Sequence, residues 1–169
     1  MPINKEEHRK RYCAFCQWQK TKKEEAYRWL DDNEHYYVIL PLGPKILGHV
    51  LVVAKDAYDD ICDIEPDTEV AKQIFSAVVE WAHKIKEKLE DVQKIYVMTM
   101  CEHWELDEIK EGWTSDNPPV TTEHLHFHLI PRYKDKRTRE LAMEHLLSRP
   151  EDEQWSEAMF RALKSKLQN

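Results

Sequence analysis

Three histidines alternate with apolar residues in the run His124-Leu125-His126-Phe127-His128-Leu129-Ile130-Pro131. In a strand, residues two apart share a face at roughly 6–7 Å, so the three imidazoles fall on one side. Leu125, Phe127 and Leu129 then point the other way, into a core. Aligned imidazoles support three chemistries. Neutral rings ligate transition metals, histidine titrates near neutral pH as an acid or base, and one ring can attack while its neighbours grip the charged group under attack. A single ion shared by all three is disfavoured, because the outer two lie about 13 Å apart along the strand. A second constellation is Cys13-Ala14-Phe15-Cys16. A Cys-x-x-Cys pair is half of a tetrahedral zinc site, a redox pair, or two buried thiols.

Around these residues the chain reads as α+β. Residues 36–41 (Tyr-Tyr-Val-Ile-Leu-Pro) form a strand ended by the turn Pro41-Leu42-Gly43-Pro44, and residues 49–54 form the next, antiparallel to it. The clearest helix runs from Asp67 to about Asp91, with Val70, Ile74, Ala77, Val78, Trp81, Ile85 and Leu89 at helical spacing and Pro66 in its first turn. His83 lies off that stripe and is expected at the surface. Residues 95–100 and 122–130 read as further strands, and strands before and after a single long helix indicate an α+β sheet with the helix packed on one face. The segment 101–120 is acidic and carries Trp104 and Trp113, a length and position suited to a lid or a partner contact. Residues 137–169 read as two helices split by Arg149-Pro150, with Trp155, Met159, Leu163 and Leu167 as an apolar stripe that caps the domain or lines a dimer interface.

Composition bounds the role. A net charge of −7 argues against a general nucleic-acid binder. Arg132, Lys134, Lys136, Arg137 and Arg139 are a local exception, read as a solvated loop. No apolar run approaches the roughly 20 residues of a membrane helix, and the start of the chain has no signal-peptide character. Cys62 and Cys101 are too few for a disulfide framework and read as inert thiols, which fits a reducing cytoplasm.

The run from His124 to Ile130 resembles the signature of the histidine triad superfamily of nucleotide hydrolases and transferases. Gly48-His49-Val50-Leu51-Val52-Val53-Ala54-Lys55 is similar to that family's Gly-His strand, with Ala54 where proline is usual, and Cys13-Ala14-Phe15-Cys16 to the opening of its zinc-containing members. The likeness spans about residues 12–134. It implies that the sheet is antiparallel, in a histidine triad-like nucleotide-binding domain over residues 1–136, with 137–169 as a helical extension of that domain. It makes His126 the nucleophile that attacks the α-phosphorus of a nucleoside phosphoramidate or dinucleoside polyphosphate and forms a covalent nucleotidyl-histidine. The nitrogen that attacks is the unprotonated one, so the other should donate to a carbonyl and fix the tautomer. His128 would contact a phosphate oxygen or the leaving group, His49 would support the triad from the side, and Thr121 stands where the family often has a serine near the leaving group. His128 speaks against the uridylyltransferase branch, which has glutamine there.

The same resemblance implies a structural zinc held by Cys13, Cys16 and His124. The family's fourth ligand falls on Ala57, leaving Asp56, Asp59, Asp60 or His103 as substitutes. It also implies a homodimer with a ten-stranded sheet. The segment 101–120 lacks the family's short Gly-rich loop and has no asparagine before Asn117. The competing reading is a non-catalytic nucleotide-binding scaffold that uses this insertion to contact a partner.

Overall fold

The computed structural model describes residues 13–20, 22–99, 124–134 and 155–169. Within them lie helix α1 (Ala14–Lys20), strands β1 (Trp29–Asp32), β2 (Tyr36–Ile39) and β3 (Val50–Ala54), helix α2 (Glu69–Lys88), strands β4 (Val92–Thr99) and β5 (His126–Tyr133), and helix α3 (Glu157–Gln168). The five strands form one sheet in the order β1-β2-β3-β5-β4, and every neighbouring pair is antiparallel. The architecture is α+β, as expected.

β2 is rich in aromatic and β-branched residues (Tyr36, Tyr37, Val38, Ile39), which suit a pleated, buried surface. It follows β1 through a tight turn in which the Asn33 side-chain oxygen accepts from the amides of His35 and Tyr36, both at 2.9 Å. Short polar side chains favour such turns because they satisfy backbone donors locally. β1 is an addition to the sequence reading. Its four residues, two apolar and two acidic, carry too little period to announce a strand.

β2 and β3 are buried along their whole length because both faces of the sheet are covered. Val38, Val50, Val52, Phe127 and Leu129 pack with Ile74, Trp81 and Ile85 of α2 and with Phe160, Leu163 and Leu167 of α3. On the opposite face, Tyr37, Ile39, Leu51 and Val53 pack with Cys13 and Phe15. Register puts Val53 opposite His126 and Leu51 opposite His128, so these histidines belong to the α1 side of the sheet.

Element boundaries and one apolar stripe differ from expectation. Thr68 caps α2, its hydroxyl accepting from the Ala71 amide, so Pro66 lies outside the helix rather than in its first turn. β4 begins at Val92, directly after Asp91 turns the chain with φ +63°. In α3 the buried stripe is Phe160, Leu163 and Leu167, while Met159 is 47% exposed. Ser156 caps the first turn, its hydroxyl accepting from the Met159 amide, and Phe160 packs against the rings of Tyr27 and Trp155. His83 is exposed, as expected. The insertion 101–120, Cys101 and the first tail helix fall outside the described residues.

Arg28 is fully buried where these layers meet. Its Nε donates to the Leu40 carbonyl at 2.9 Å and its Nη1 to Glu25 at 2.6 Å. The guanidinium lies 4.6 Å from the Trp18 ring of α1 and 5.9 Å from the Phe160 ring of α3. No described helix is long and apolar enough to cross a membrane.

Candidate active site and metal centre

The three triad histidines are all buried, and their rings take different partners. β5 begins only at His126. The chain just ahead of it is held differently, with the Leu125 amide donating to the Tyr58 carbonyl at 2.7 Å. The His124 ring goes to the cysteines, while His126 and His128 meet each other. The three imidazoles thus share the α1 side of the sheet, as the alternation predicts, but divide into a metal-type cluster and a nucleophile-type cluster.

Nδ1 of His124 lies 3.5 Å from Cys13 Sγ and 3.4 Å from Cys16 Sγ. Zinc bonds of roughly 2.3 Å to sulfur and 2.0–2.1 Å to nitrogen, at a tetrahedral angle, put S and N about 3.6 Å apart. The spacing fits. The tautomer fits as well. Nε2 is 2.7 Å from the Ala54 carbonyl, which can only accept, so the proton sits on Nε2 and Nδ1 turns its lone pair to the thiols. The Cys13 thiol is pulled down to about 4, first by a hydrogen bond from Cys16 and then by His124, against the opposing effect of burial. It is therefore a ready anionic ligand. Among the described residues, the group that could hold a metal is these three. Asp56, Asp59 and Asp60 are not part of it, and the Asp60 carboxylate instead caps a short 3₁₀ turn by accepting from the Cys62 amide. His103 lies outside the described residues. Cys62 is exposed and unbridged.

The second cluster is a chain of hydrogen bonds whose direction its two ends decide. At one end the Lys45 amide, which can only donate, lies 3.1 Å from His49 Nδ1. His49 must therefore carry its proton on Nε2, which is 2.9 Å from His128 Nδ1. His128 then carries its proton on Nε2, which is 2.9 Å from His126 Nε2. At the other end His126 Nδ1 is 2.8 Å from the His124 carbonyl, which can only accept. One proton per ring satisfies every step. The result is a His126 whose Nδ1–H is anchored to backbone and whose Nε2 bears the lone pair.

This assignment requires neutral rings, and burial provides them. Desolvation pushes His126 down to about 4 and His128 to about 3, with the neighbouring histidine and Lys45 adding to the effect on His128. It holds His49 well below the usual histidine range. Charged imidazoles do not survive removal from water without a counter-charge.

The structure thus brings together His49, His126 and His128 in one cluster, and Cys13, Cys16 and His124 in the other. Thr121 lies outside the described residues. Three participants escaped the sequence reading because they act through the main chain: the Lys45 amide and the carbonyls of Ala54 and His124. Phe15 was visible only as the third residue of the cysteine motif. Its ring centroid is 5.6 Å from that of His124 and 4.6 Å from that of His126.

No protein-family model matches the chain, and no curated protein does. Solved structures do. A hypothetical histidine triad nucleotide-binding protein from Sulfolobus tokodaii aligns over 92% of this chain and 89% of its own, at 18% identity and a TM-score of 0.60. A zinc-bound histidine triad family protein from Mycobacterium smegmatis aligns over 92% and 94%, at 19% identity and a TM-score of 0.55. A histidine triad family protein from Bacillus anthracis aligns over 79% and 89%, at 25% identity and a TM-score of 0.51. With its five-stranded antiparallel sheet and its run of histidines from His124 to His128, the chain has the histidine triad fold.

Proposed function

We propose that this protein is a nucleotidyl hydrolase or transferase in which His126 Nε2 attacks the α-phosphorus of a nucleoside phosphoramidate or dinucleoside polyphosphate. The observation that carries the reading is the anchored tautomer. A buried, neutral imidazole with Nδ1–H on the His124 carbonyl has its lone pair on Nε2 and nowhere else. A binding protein has no need of that arrangement.

In this reading the Nε2 lone pair forms the N–P bond as the bond from phosphorus to the leaving group breaks. The ring keeps its Nδ1–H, so the nucleotidyl-imidazole is cationic, and the His124 carbonyl lies where it stabilises that charge. His128 Nε2–H, which faces the lone pair in the free protein, turns to a phosphate oxygen or the leaving group. His49 holds His128 in the donor tautomer from behind. Water or another acceptor then attacks phosphorus, the P–N bond breaks, and His126 returns neutral. Thr121 is assigned to the leaving-group side on the resemblance alone.

Zinc belongs to the same proposal. Cys13, Cys16 and His124 would hold it, and at that position it would tie α1 to the start of β5. We extend the reading to a homodimer and to a reducing, cytoplasmic setting. The first is supported by the edge position of β4, whose Val97 is 50% exposed, and the second rests on the sparse cysteines of the sequence.

The test is release of nucleoside monophosphate from adenosine and guanosine phosphoramidates and from dinucleoside tri- and tetraphosphates, with wild type beside His126→Ala. Release by wild type alone is expected. Turnover retained in His126→Ala would remove His126 as nucleophile. No release by either protein, with nucleotide still bound, would favour the scaffold reading.

A further inference from the structure

Phe15 occupies an unusual place. It sits between Cys13 and Cys16 on α1, is 3% exposed, and lies against the rings of both His124 and His126, with interplanar angles of 61° and 45°. One side chain therefore touches the metal-type cluster and the nucleophile-type cluster at once.

α1 has seven residues, too few to be stable as an isolated helix. What fixes it is tertiary. The Tyr37 hydroxyl donates to the Phe15 carbonyl at 3.1 Å, the Gln19 side chain donates to the Lys55 carbonyl at 3.1 Å, and the two thiols meet His124 Nδ1. A metal at the thiols would turn the last of these from weak contacts into bonds, clamping α1 onto the residue two places ahead of His126. The ring carried between the thiols would be clamped with it.

The His126 ring needs such a guard. Turning it over by half a rotation about χ2 exchanges Nδ1 with Cδ2 and Nε2 with Cε1. Carbon then faces both the His124 carbonyl and His128, and no lone pair faces substrate. The two hydrogen bonds oppose that rotation, and a packed aromatic face opposes it sterically.

We propose that Phe15 is a positioning residue for His126, and that the metal held by Cys13, Cys16 and His124 acts on the nucleophile through this ring. The metal centre is then a control on ring orientation as well as a brace for the fold. The inference rests on His126 being the nucleophile, but its principal readout does not require turnover.

The experiment uses full-length protein labelled with ¹⁵N-histidine, zinc-loaded and chelator-stripped, as wild type and as Phe15→Leu. Long-range proton–nitrogen spectra report the tautomer and exchange state of the His126 ring. Loaded wild type is expected to show a single Nδ1–H tautomer. Stripping the metal should broaden or average the His126 signals. Phe15→Leu should show the averaged signals even when elemental analysis finds full zinc, and stripping it should add little. If wild type turns over substrate, Phe15→Leu should lose roughly tenfold or more in kcat with KM nearly unchanged, as a misplaced nucleophile does.

Unchanged His126 signals in loaded Phe15→Leu would overturn the positioning role. An equal response to stripping in both proteins would overturn the route through Phe15 and leave the His124 backbone as the link. Absence of zinc from wild type would overturn the metal half. Should Phe15→Leu fail to fold, stripping the wild type still decides, since signals that do not move on metal removal end the proposal. Absence of turnover with an intact tautomer response would instead fault the enzyme reading.

Discussion

Replacing His128 by glutamine should flatten the acid sensitivity of the fold. His128 is 9% exposed, and its folded value near 3 lies well below the roughly 6.5 of an exposed histidine. The unfolded chain therefore binds the proton first. The contribution is fully present above about pH 6.5, drains as pH falls, and is exhausted only below about 3. Between pH 7 and pH 5 one such group removes about 2 kcal/mol of stability, at up to about 1.4 kcal/mol per pH unit. Because pH 5 stays above the folded value, that figure depends on the unfolded histidine and hardly on how far burial has moved the folded one. His126, pushed down to about 4, behaves in the same way, so the pair removes about 4 kcal/mol, a large part of the roughly 5–15 kcal/mol that holds a domain together. Glutamine keeps a donor and an acceptor but does not titrate. His128→Gln should start less stable at pH 7 and then lose about 2 kcal/mol less than wild type on acidification to pH 5. Urea unfolding followed by tryptophan fluorescence at half-unit pH steps, with zinc in excess for both proteins, measures the difference. Parallel profiles from pH 7 to pH 5 would refute the claim that His128 is buried and neutral.

Gly48→Ala should destabilise by about 2–4 kcal/mol, read as a fall in thermal midpoint, since the residue has φ +83° and an added Cβ would collide with the Leu89 side chain and crowd Pro131. A change below about 1 kcal/mol would mean that this turn, which delivers His49, is looser than described. Leu129→Ala, at a fully buried position on the core face of the histidine strand, should cost about 2–5 kcal/mol by chemical denaturation, and a smaller loss would show that the site collapses around the cavity. Cys13→Ser should lower bound zinc in elemental analysis of purified protein, and zinc equal to wild type would strike Cys13 from the ligand set. His49→Ala should lower kcat more than it raises KM, because it frees the His128 tautomer without touching substrate; a pure KM effect would place His49 in substrate binding instead.

Much of this arrangement was legible before any coordinates. β2 and β3 announce themselves as dense β-branched and aromatic runs and α2 by a long helical period, and the alternation of Leu125, Phe127 and Leu129 with the histidines correctly assigned the core side of the strand. α1 and β1 were silent because seven and four residues are too short for a period, and they exist through burial against Tyr37, Ile39 and their neighbours. The stripe in α3 was read correctly at Leu163 and Leu167, with Trp155 packed against the same core, and missed at Met159, where the adjacent Phe160 is the buried residue. In the site, residue types announced the histidines and cysteines. The division of the triad, with His124 beside the cysteines and His49 beside His128, was implied by the resemblance and not by residue spacing. The His126 tautomer was expected to rest on a carbonyl, but which main-chain groups fix each ring was hidden, because every residue but proline carries the same amide and carbonyl.

The buried guanidinium of Arg28 bears on how such a chain is made. It is enclosed only when Trp18 and Phe160 both lie near it, and these residues come from segments far apart in the sequence. A ribosome releases the cysteine helix early and residue 160 late, so during synthesis Arg28 waits with one side open to water. His124 also emerges long after Cys13 and Cys16. Closure around Arg28 and the meeting of Cys13 and Cys16 with His124 are therefore late events in the life of each new molecule, and if these three hold a metal, an ion that arrives earlier would meet only two of them.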